Sequence, residues 1–398
     1  MRLWLNNKGD EKQMGVARET SVIIVTHNHA RYIEKCLGTV IENNPLEIII
    51  VDNDSSDGTP QLVKENFSTL EIIDLEEYLG SDKREDPSIH RSEFSSRNMQ
   101  RGSEFCENPI EDFTSSQNER KPRIKLILSP NNRGYGAGNN LGVRYAEGKY
   151  IVVLNPDTVV EKNWLEELVK PLETSEKTIT TPKILLYDGS AINTCGNINH
   201  FTGLTFTRGL NEDPGKYDVP EEVSGFSGCC FAMRKDHFEE LGGFDENFFV
   251  YNEDSDLSWR AHLRGFKILY VPTSIVKHAY QLNVSPEKLY HLERNRYLIL
   301  RKYLSRKDLF ILLPSMVMAE VLTWGYALRK GSGWAKWKLL AVMDGLRIVV
   351  KKEEGDGNRL FQRLSKTIPV EHLAHNGIER MVNMFANSVF KWNVGVTM

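Results

Sequence analysis

Two short apolar runs rich in β-branched residues, SVIIVT at 21–26 and EIIIV at 47–51, constrain this chain more than any other feature. Neither alternates polar with apolar, so each reads as a strand buried on both faces. The first leads through the polar loop HNHARY into a helical pattern of Ile33, Cys36, Leu37, Val40 and Ile41. The second leads through a loop rich in Asp, Ser and Gly into a helix beginning near Pro60. Further strands are expected at IKLILS (124–129) and KYIVVLNPD (149–157). Strands of this kind separated by helices predict an α/β fold: a Rossmann-like, mostly parallel sheet with helices on both faces. Ligands of such sheets bind beyond the carboxyl ends of the strands, where Asp52, Asn132 and Asp157 all fall.

Other segments set the domain plan. Residues 1–20 form a tail without an apolar run long enough for a signal-peptide core, so a cytoplasmic catalytic domain is expected. That domain spans 21–281 and carries a polar, charged insertion at about 80–122. From 282 to 398 the chain turns helical. The stretch 309–328 approaches the ~20 apolar residues of a bilayer crossing. Glu320, Pro314 and Gly325 count against a crossing. Trp334, Trp337, Lys336, Lys338, Arg347, Lys351 and Lys352 are the mixture of a helix lying in the headgroup region, and the alternative is that these helices pack on the catalytic domain. Five cysteines (Cys36, Cys106, Cys195, Cys229, Cys230) without CxxC spacing fit neither a disulfide framework nor a zinc site, and read as buried thiols. A net charge of -4, from nearly balanced acids and bases, gives no whole-protein attraction to nucleic acid, and none is expected as a partner.

Three acidic motifs follow apolar segments. VDNDSSDG (51–58) is either an ordinary turn or a loop whose carboxylate meets a base or ribose. LNPDTVV (154–160) is either a helix cap or half of a divalent-metal site completed by phosphates. In FFVYNEDSDLSWR (248–260), Glu253, Asp254 and Asp256 mark a helix start, a catalytic base, or both, with Asp256 capping and Asp254 facing the cleft. NNRGYGAGNN (131–140) suggests a dinucleotide fingerprint, but its GxGxG spacing and its place after the third of these strands make a nicotinamide enzyme a poor second. Its glycines still permit close backbone approach to a diphosphate.

Taken in order, Thr26-x-Asn28, VDNDSSDGT, NRGYGAGNNLG, LNPDT, GGFDENFFVYNEDSDLSWR and VKHAY resemble glycosyltransferase family 2, over roughly residues 21–300 apart from the insertion, and its rhamnosyltransferase-like members in particular. The resemblance implies a GT-A fold, an inverting mechanism, a divalent metal (Mg²⁺ or Mn²⁺), a nucleotide diphosphate sugar as donor and a glycan or lipid-linked acceptor. It implies a donor site of Thr26, Asn28, Asp52, Asn53, Asn132, Gly134, Gly138, Asn140, Asn155 and Arg294. Asn155 stands where the family has the first Asp of a DxD motif, leaving Asp157 as metal ligand with His278. Asp254 corresponds to the catalytic base, with Glu253 beside it. Peripheral contact at the inner face of the cell membrane is expected. A catalytically inactive, membrane-associated scaffold of the same fold is the alternative from another class, against which the intact Asp52, Asp157 and Asp254 speak.

Overall fold

The two apolar runs become adjacent central strands, β1 (Thr20–Thr26) and β2 (Glu47–Asn53), buried along their whole length and paired in parallel with Thr26 opposite Asp52. The computed structural model describes residues 15–67, 69–75, 121–280, 284–370 and 376–397. Between the strands, α1 (Ala30–Glu42) turns Ile33, Cys36, Leu37 and Val40 inward, as their helical spacing requires. Next come α2 (Thr59–Asn66), β3 (Leu70–Asp74), β4 (Arg123–Ser129), α3 (Tyr135–Arg144) and β5 (Tyr150–Leu154). The order β3-β4-β2-β1-β5 is parallel throughout. β3 escaped the sequence reading because it is a half-exposed edge strand without a continuous apolar run. Most of the insertion expected at 80–122, with Cys106, lies outside the described residues.

The second half of the sheet is mixed. It runs through β6 (Thr158–Val160), α4 (Trp164–Val169), α5 (Pro171–Thr174), β7 (Thr178–Leu186), β8 (Ile192–Thr194), β9 (Asn197–Asn199), β10 (Thr205–Thr207), β11 (Glu221–Glu222), β12 (Cys230–Arg234), α6 (Lys235–Leu241), α7 (Glu253–Leu263) and β13 (Lys267–His278). β12 inserts antiparallel between β5 and β7, with Cys230 opposite Leu154, and β13 runs parallel to β7. Hence the turn before β12 lies against the carboxyl end of β5. Apolar layers cover both faces, with α1, α2 and α4 on one and α3, α6 and α7 on the other. This is the expected α/β architecture of GT-A type. The described cysteines Cys36, Cys195, Cys229 and Cys230 are buried free thiols, and burial pushes the Cys36 thiol up to about 12.

Two expectations change here. β5 ends at Leu154 rather than Asp157: the Asn155 N–H still donates to the Cys229 carbonyl (2.9 Å), but Pro156 has no donor with which to extend the ladder further. Asp157 therefore sits in the turn leading into β6, which pairs antiparallel with β13 and sets Thr158 opposite His278. Nor does Asp256 cap α7. Its fully buried carboxylate pairs with Arg260 and, at 2.7 Å, with Lys302, while the helix starts after Asn252 without a side-chain cap.

The carboxyl-terminal region comprises α8 (Pro286–Tyr303), α9 (Arg306–Ile311), α10 (Leu313–Lys330), α11 (Ser332–Arg347), α12 (Gly357–Arg363) and α13 (Gly377–Thr397). A buried ion network joins three of these helices: Glu293 of α8 takes Arg296 at 2.9 Å and also Lys338 of α11, while Arg296 and Tyr297 both reach Glu320 of α10. Lys338, expected to face lipid headgroups, is fully buried in this network. Among the described residues no helix is long and apolar enough to cross a membrane.

Candidate active site

The loops beyond the strand ends hold one another through side chains. Asp52, at the end of β2, accepts from Thr26 Oγ1 at 3.0 Å and from the Ser55 N–H at 3.0 Å. Asn28, at a φ of 62°, donates its N–H to Ser55 Oγ and accepts from the Ser56 N–H through Oδ1 (2.9 and 2.8 Å). Asn53 Nδ2 donates to Asn132 Oδ1 (2.9 Å) and to the Gly134 carbonyl (3.1 Å), linking the loops after β2 and β4. Gly134 has a φ of 87°, and a Cβ there would lie 2.2 Å from the Phe249 carbonyl oxygen, so only glycine lets this loop dock on residues 248–252. Thr26, Asn28, Asp52, Asn53, Asn132 and Gly134 thus form one connected rim. A carboxylate has about four acceptor positions, so Asp52 retains capacity for a ligand.

Gly138, Asn140 and Arg294 are placed differently. A Cβ on Gly138 would meet Val25 at 2.6 Å, so that glycine serves the packing of α3 on β1. Asn140 exchanges hydrogen bonds with the backbone of Phe244 through both ends of its amide, each at 2.9 Å. Arg294 donates to the Asn247 carbonyl. Asn140 and Arg294 thus support the segment 243–252 and its approach to α3 and α8.

That segment delivers the acidic pair. Tyr251 and Asn252 both adopt left-handed backbone (φ 66° and 63°), a costly arrangement for a bulky residue. α8 sustains it: Asn295 Nδ2 donates to the Val250 and Tyr251 carbonyls (2.9 and 2.6 Å). Glu253 and Asp254 follow at once in the first turn of α7. Asp254 Oδ2 accepts from the Gly228 N–H (2.9 Å) and from Asn197 Nδ2 (3.0 Å), and Oδ1 accepts from the Ser255 N–H (2.7 Å). Tyr135, the first residue of α3, donates its hydroxyl to the Gly228 carbonyl, so the glycine-rich loop buttresses the turn that orients Asp254.

Burial raises both carboxyls of the pair. At Asp254 the Gly228 and Ser255 N–H groups oppose the rise, whereas Glu253 Oε2 is buried without a hydrogen-bond partner among the described residues and the neighbouring Asp254 charge pushes Glu253 up further. Glu253 is therefore the member that keeps its proton. Between the unfolded-state value of about 4.3 and this raised folded value, the folded chain holds a proton that the unfolded chain has lost, so stability falls as pH rises, by up to about 1.4 kcal/mol per pH unit. Glu253→Gln is expected to flatten that slope in urea melts at successive pH values, and an unchanged slope would contradict the protonated assignment.

Across the Gly228–Cys229 turn lies the second centre. His278 Nε2 is 3.3 Å from Asp157 Oδ1, and His278 Nδ1 donates to Asn193 Oδ1 at 3.0 Å. Burial raises Asp157, but the hydrogen bond and charge of His278, with His29 behind, hold it below the usual carboxylate range. Burial lowers His29, against the pull of Asp157, Asp57 and Asp52. An imidazole turned by a partner on its far nitrogen beside a carboxylate is a fitting donor pair for a divalent cation. Among the described residues no cluster of three or more His, Cys, Asp or Glu could hold a metal alone. The pair thus suits an ion whose remaining ligands are phosphate oxygens and water. His29, Asn193, Asn197, Gly228 and Tyr135 were not singled out from the sequence. Tyr135 alone carried a signal, inside the glycine motif.

Comparison with known proteins matches the glycosyl transferase family 2 model to residues 21–81 and 102–242, half of the chain. The chain belongs to glycosyl transferase family 2. A second model, described as the N-terminal domain of galactosyltransferase, matches residues 213–283 of this family 2 chain, the span that carries Asp254 and His278. It is 31% identical over 153 residues to the low-salt glycan biosynthesis hexosyltransferase Agl10 of Haloferax volcanii, covering 36% of this chain and 48% of that protein. It is 27% identical over 199 residues to the rhamnosyltransferase WbbL of Escherichia coli, covering 44% and 74%. The match thus spans about half the length of the Haloferax relative. Residues 1–349 of S. aureus TarS superpose with a TM-score of 0.49 at 16% identity, covering 94% of this chain and 91% of that one.

Proposed function

We propose that this family 2 chain is an inverting, metal-dependent glycosyltransferase that moves a hexose, with rhamnose the first candidate, from a nucleoside diphosphate to a hydroxyl of a lipid-linked or cell-surface glycan. The observation that carries the reading is the setting of Asp254: a half-buried carboxylate aimed by Gly228, Asn197 and Ser255, one turn away from the Asp157–His278 pair. Asp254 takes the proton of the acceptor hydroxyl as that oxygen bonds to the anomeric carbon, and the bond from that carbon to the diphosphate breaks on the opposite face. Asp52, Asn53 and the loop 131–134 are assigned to the nucleoside and diphosphate, with Thr26 and Asn28 holding that rim. A divalent cation at Asp157 and His278 would offset the charge on the departing diphosphate. The enzyme is assigned to the cytoplasm, at the inner face of the membrane, which the carboxyl-terminal helical region touches peripherally.

A panel of nucleoside diphosphate sugars, each with Mn²⁺, Mg²⁺ or EDTA, tests this by thermal shift. The true donor is expected to stabilise the fold only with metal, by about 2.7 kcal/mol at a hundred times its Kd. NADH stabilising the chain more than every nucleotide sugar would overturn the proposal.

A further inference from the structure

The last long helix is apolar on two sides. α13 turns Asn383, Ala386, Phe390 and Asn393 into the body, yet Ile378, Met381, Val382, Phe385, Trp392 and Val396 are each at least 43% exposed. The exposed set recurs every three or four residues over most of the helix, with one gap of seven, and so forms a stripe rather than scattered positions. Its neighbour repeats the pattern: α10 buries Ser315, Ala319 and Ala327, and exposes Leu313, Val317, Val321 and Leu328. The two helices lie antiparallel. Ser315 Oγ donates to Asn393 Oδ1 at 2.6 Å near one end, and Arg329 pairs with Glu379 near the other. Fourteen residues separate these contacts on each helix, about 21 Å at 1.5 Å per residue. Single exposed apolar residues are ordinary on a protein surface, but two stripes of this length on paired helices call for a covering partner.

Charge selects the partner. Residues 306–330 and 377–397 carry six bases (Arg306, Lys307, Arg329, Lys330, Arg380, Lys391) against three acids, in a chain whose net charge is -4. Of those acids, Glu320 is tied to Arg296 and Asp308 closes the capping box of α9, while Glu379 and Arg329 pair with each other and leave five bases. Apolar stripes edged by bases match a bilayer with anionic headgroups. A two-fold contact with a second copy would set the bases against themselves.

We propose that α10 and α13 together seat this protein on an anionic phospholipid surface, with the stripe from Ile378 to Val396 and the stripe from Leu313 to Leu328 entering the headgroup boundary. This deepens the membrane contact assigned above by naming its face and its lipid. It moves that face from the Trp334–Lys352 segment, whose Lys338 is buried, to α10, which overlaps the apolar stretch 309–328, and to α13, which the sequence does not mark.

The test is cosedimentation of the full chain with phosphatidylcholine vesicles, with and without phosphatidylglycerol. Sedimentation is expected with the phosphatidylglycerol vesicles. The Phe385→Asp/Trp392→Asp variant should lower the bound fraction roughly tenfold, with an unaltered circular-dichroism melt. Lys330→Glu/Lys391→Glu, which leaves the apolar stripes intact, should weaken binding to the anionic vesicles alone. Wild-type protein that stays in the supernatant with phosphatidylglycerol, either variant sedimenting like wild type, or a dimer dissolved by the Phe385/Trp392 variant would each overturn the proposal. Asp254→Asn is expected to sediment like wild type. Failure of sugar transfer with vesicle binding intact would thus count against the catalytic reading alone.

Discussion

Asp254→Asn is expected to lower transfer by about 10²–10⁴-fold, the usual contribution of a positioned general base, and to leave donor affinity within a factor of about two. The substitution keeps the size of the side chain, and its one amide oxygen still accepts either from the Gly228 N–H and Asn197 Nδ2 or from the Ser255 N–H, at the cost of an NH2 facing a donor on the other side. What it removes is the proton acceptor. Because burial raises Asp254, wild-type kcat should fall on the acid side at a pH above the ordinary carboxylate range, as the carboxylate gains its proton. That limb should be absent from the residual activity of the variant. Initial rates across pH, with donor affinity from calorimetry, check both statements. Transfer by Asp254→Asn at the wild-type rate would remove Asp254 from the chemistry.

Asp157→Ala should instead act on binding. The variant loses the carboxylate of the Asp157–His278 pair, leaves one imidazole, and is expected to weaken metal-dependent donor binding by about 100-fold, or roughly 2.7 kcal/mol. In EDTA, wild type and variant should bind the donor equally weakly, so the contrast is measured by titration without turnover. His278→Gln should fall between the two. Wild-type affinity that is the same in EDTA as in Mn²⁺ would dismiss the metal reading while leaving the Asp254 prediction intact.

The two residues differ in how they became visible. Asp254 stood out as part of an acidic cluster before an amphipathic helix, and its place in the first turn of α7 follows from that local pattern. The apolar run 149–157 places Asp157 at the end of a strand, yet it lies in a turn, and its partnership with His278 depends on β6 pairing antiparallel with β13. Asn197 reaches Asp254 from a segment 57 residues away. No periodicity or spacing announces such a neighbour, because its side chain takes its role from a tertiary contact. The same holds for Lys338, whose position on α11 suggests a headgroup contact, whereas the fold supplies it with the counter-charges of buried Glu293 and half-buried Glu320.

The central parallel strands, their helices and the loops that carry the acids are legible in local pattern alone. Continuous β-branched runs must be buried on both faces, and periodic apolar positions must face them. Long-range packing sets the rest: β12 turns back between β5 and β7, Gly228 and Asn197 aim Asp254, and α10 and α13 carry outward apolar stripes. Local pattern records how much of a segment is buried, while the partner that buries it, and the face left uncovered, follow from contacts between segments far apart in the chain.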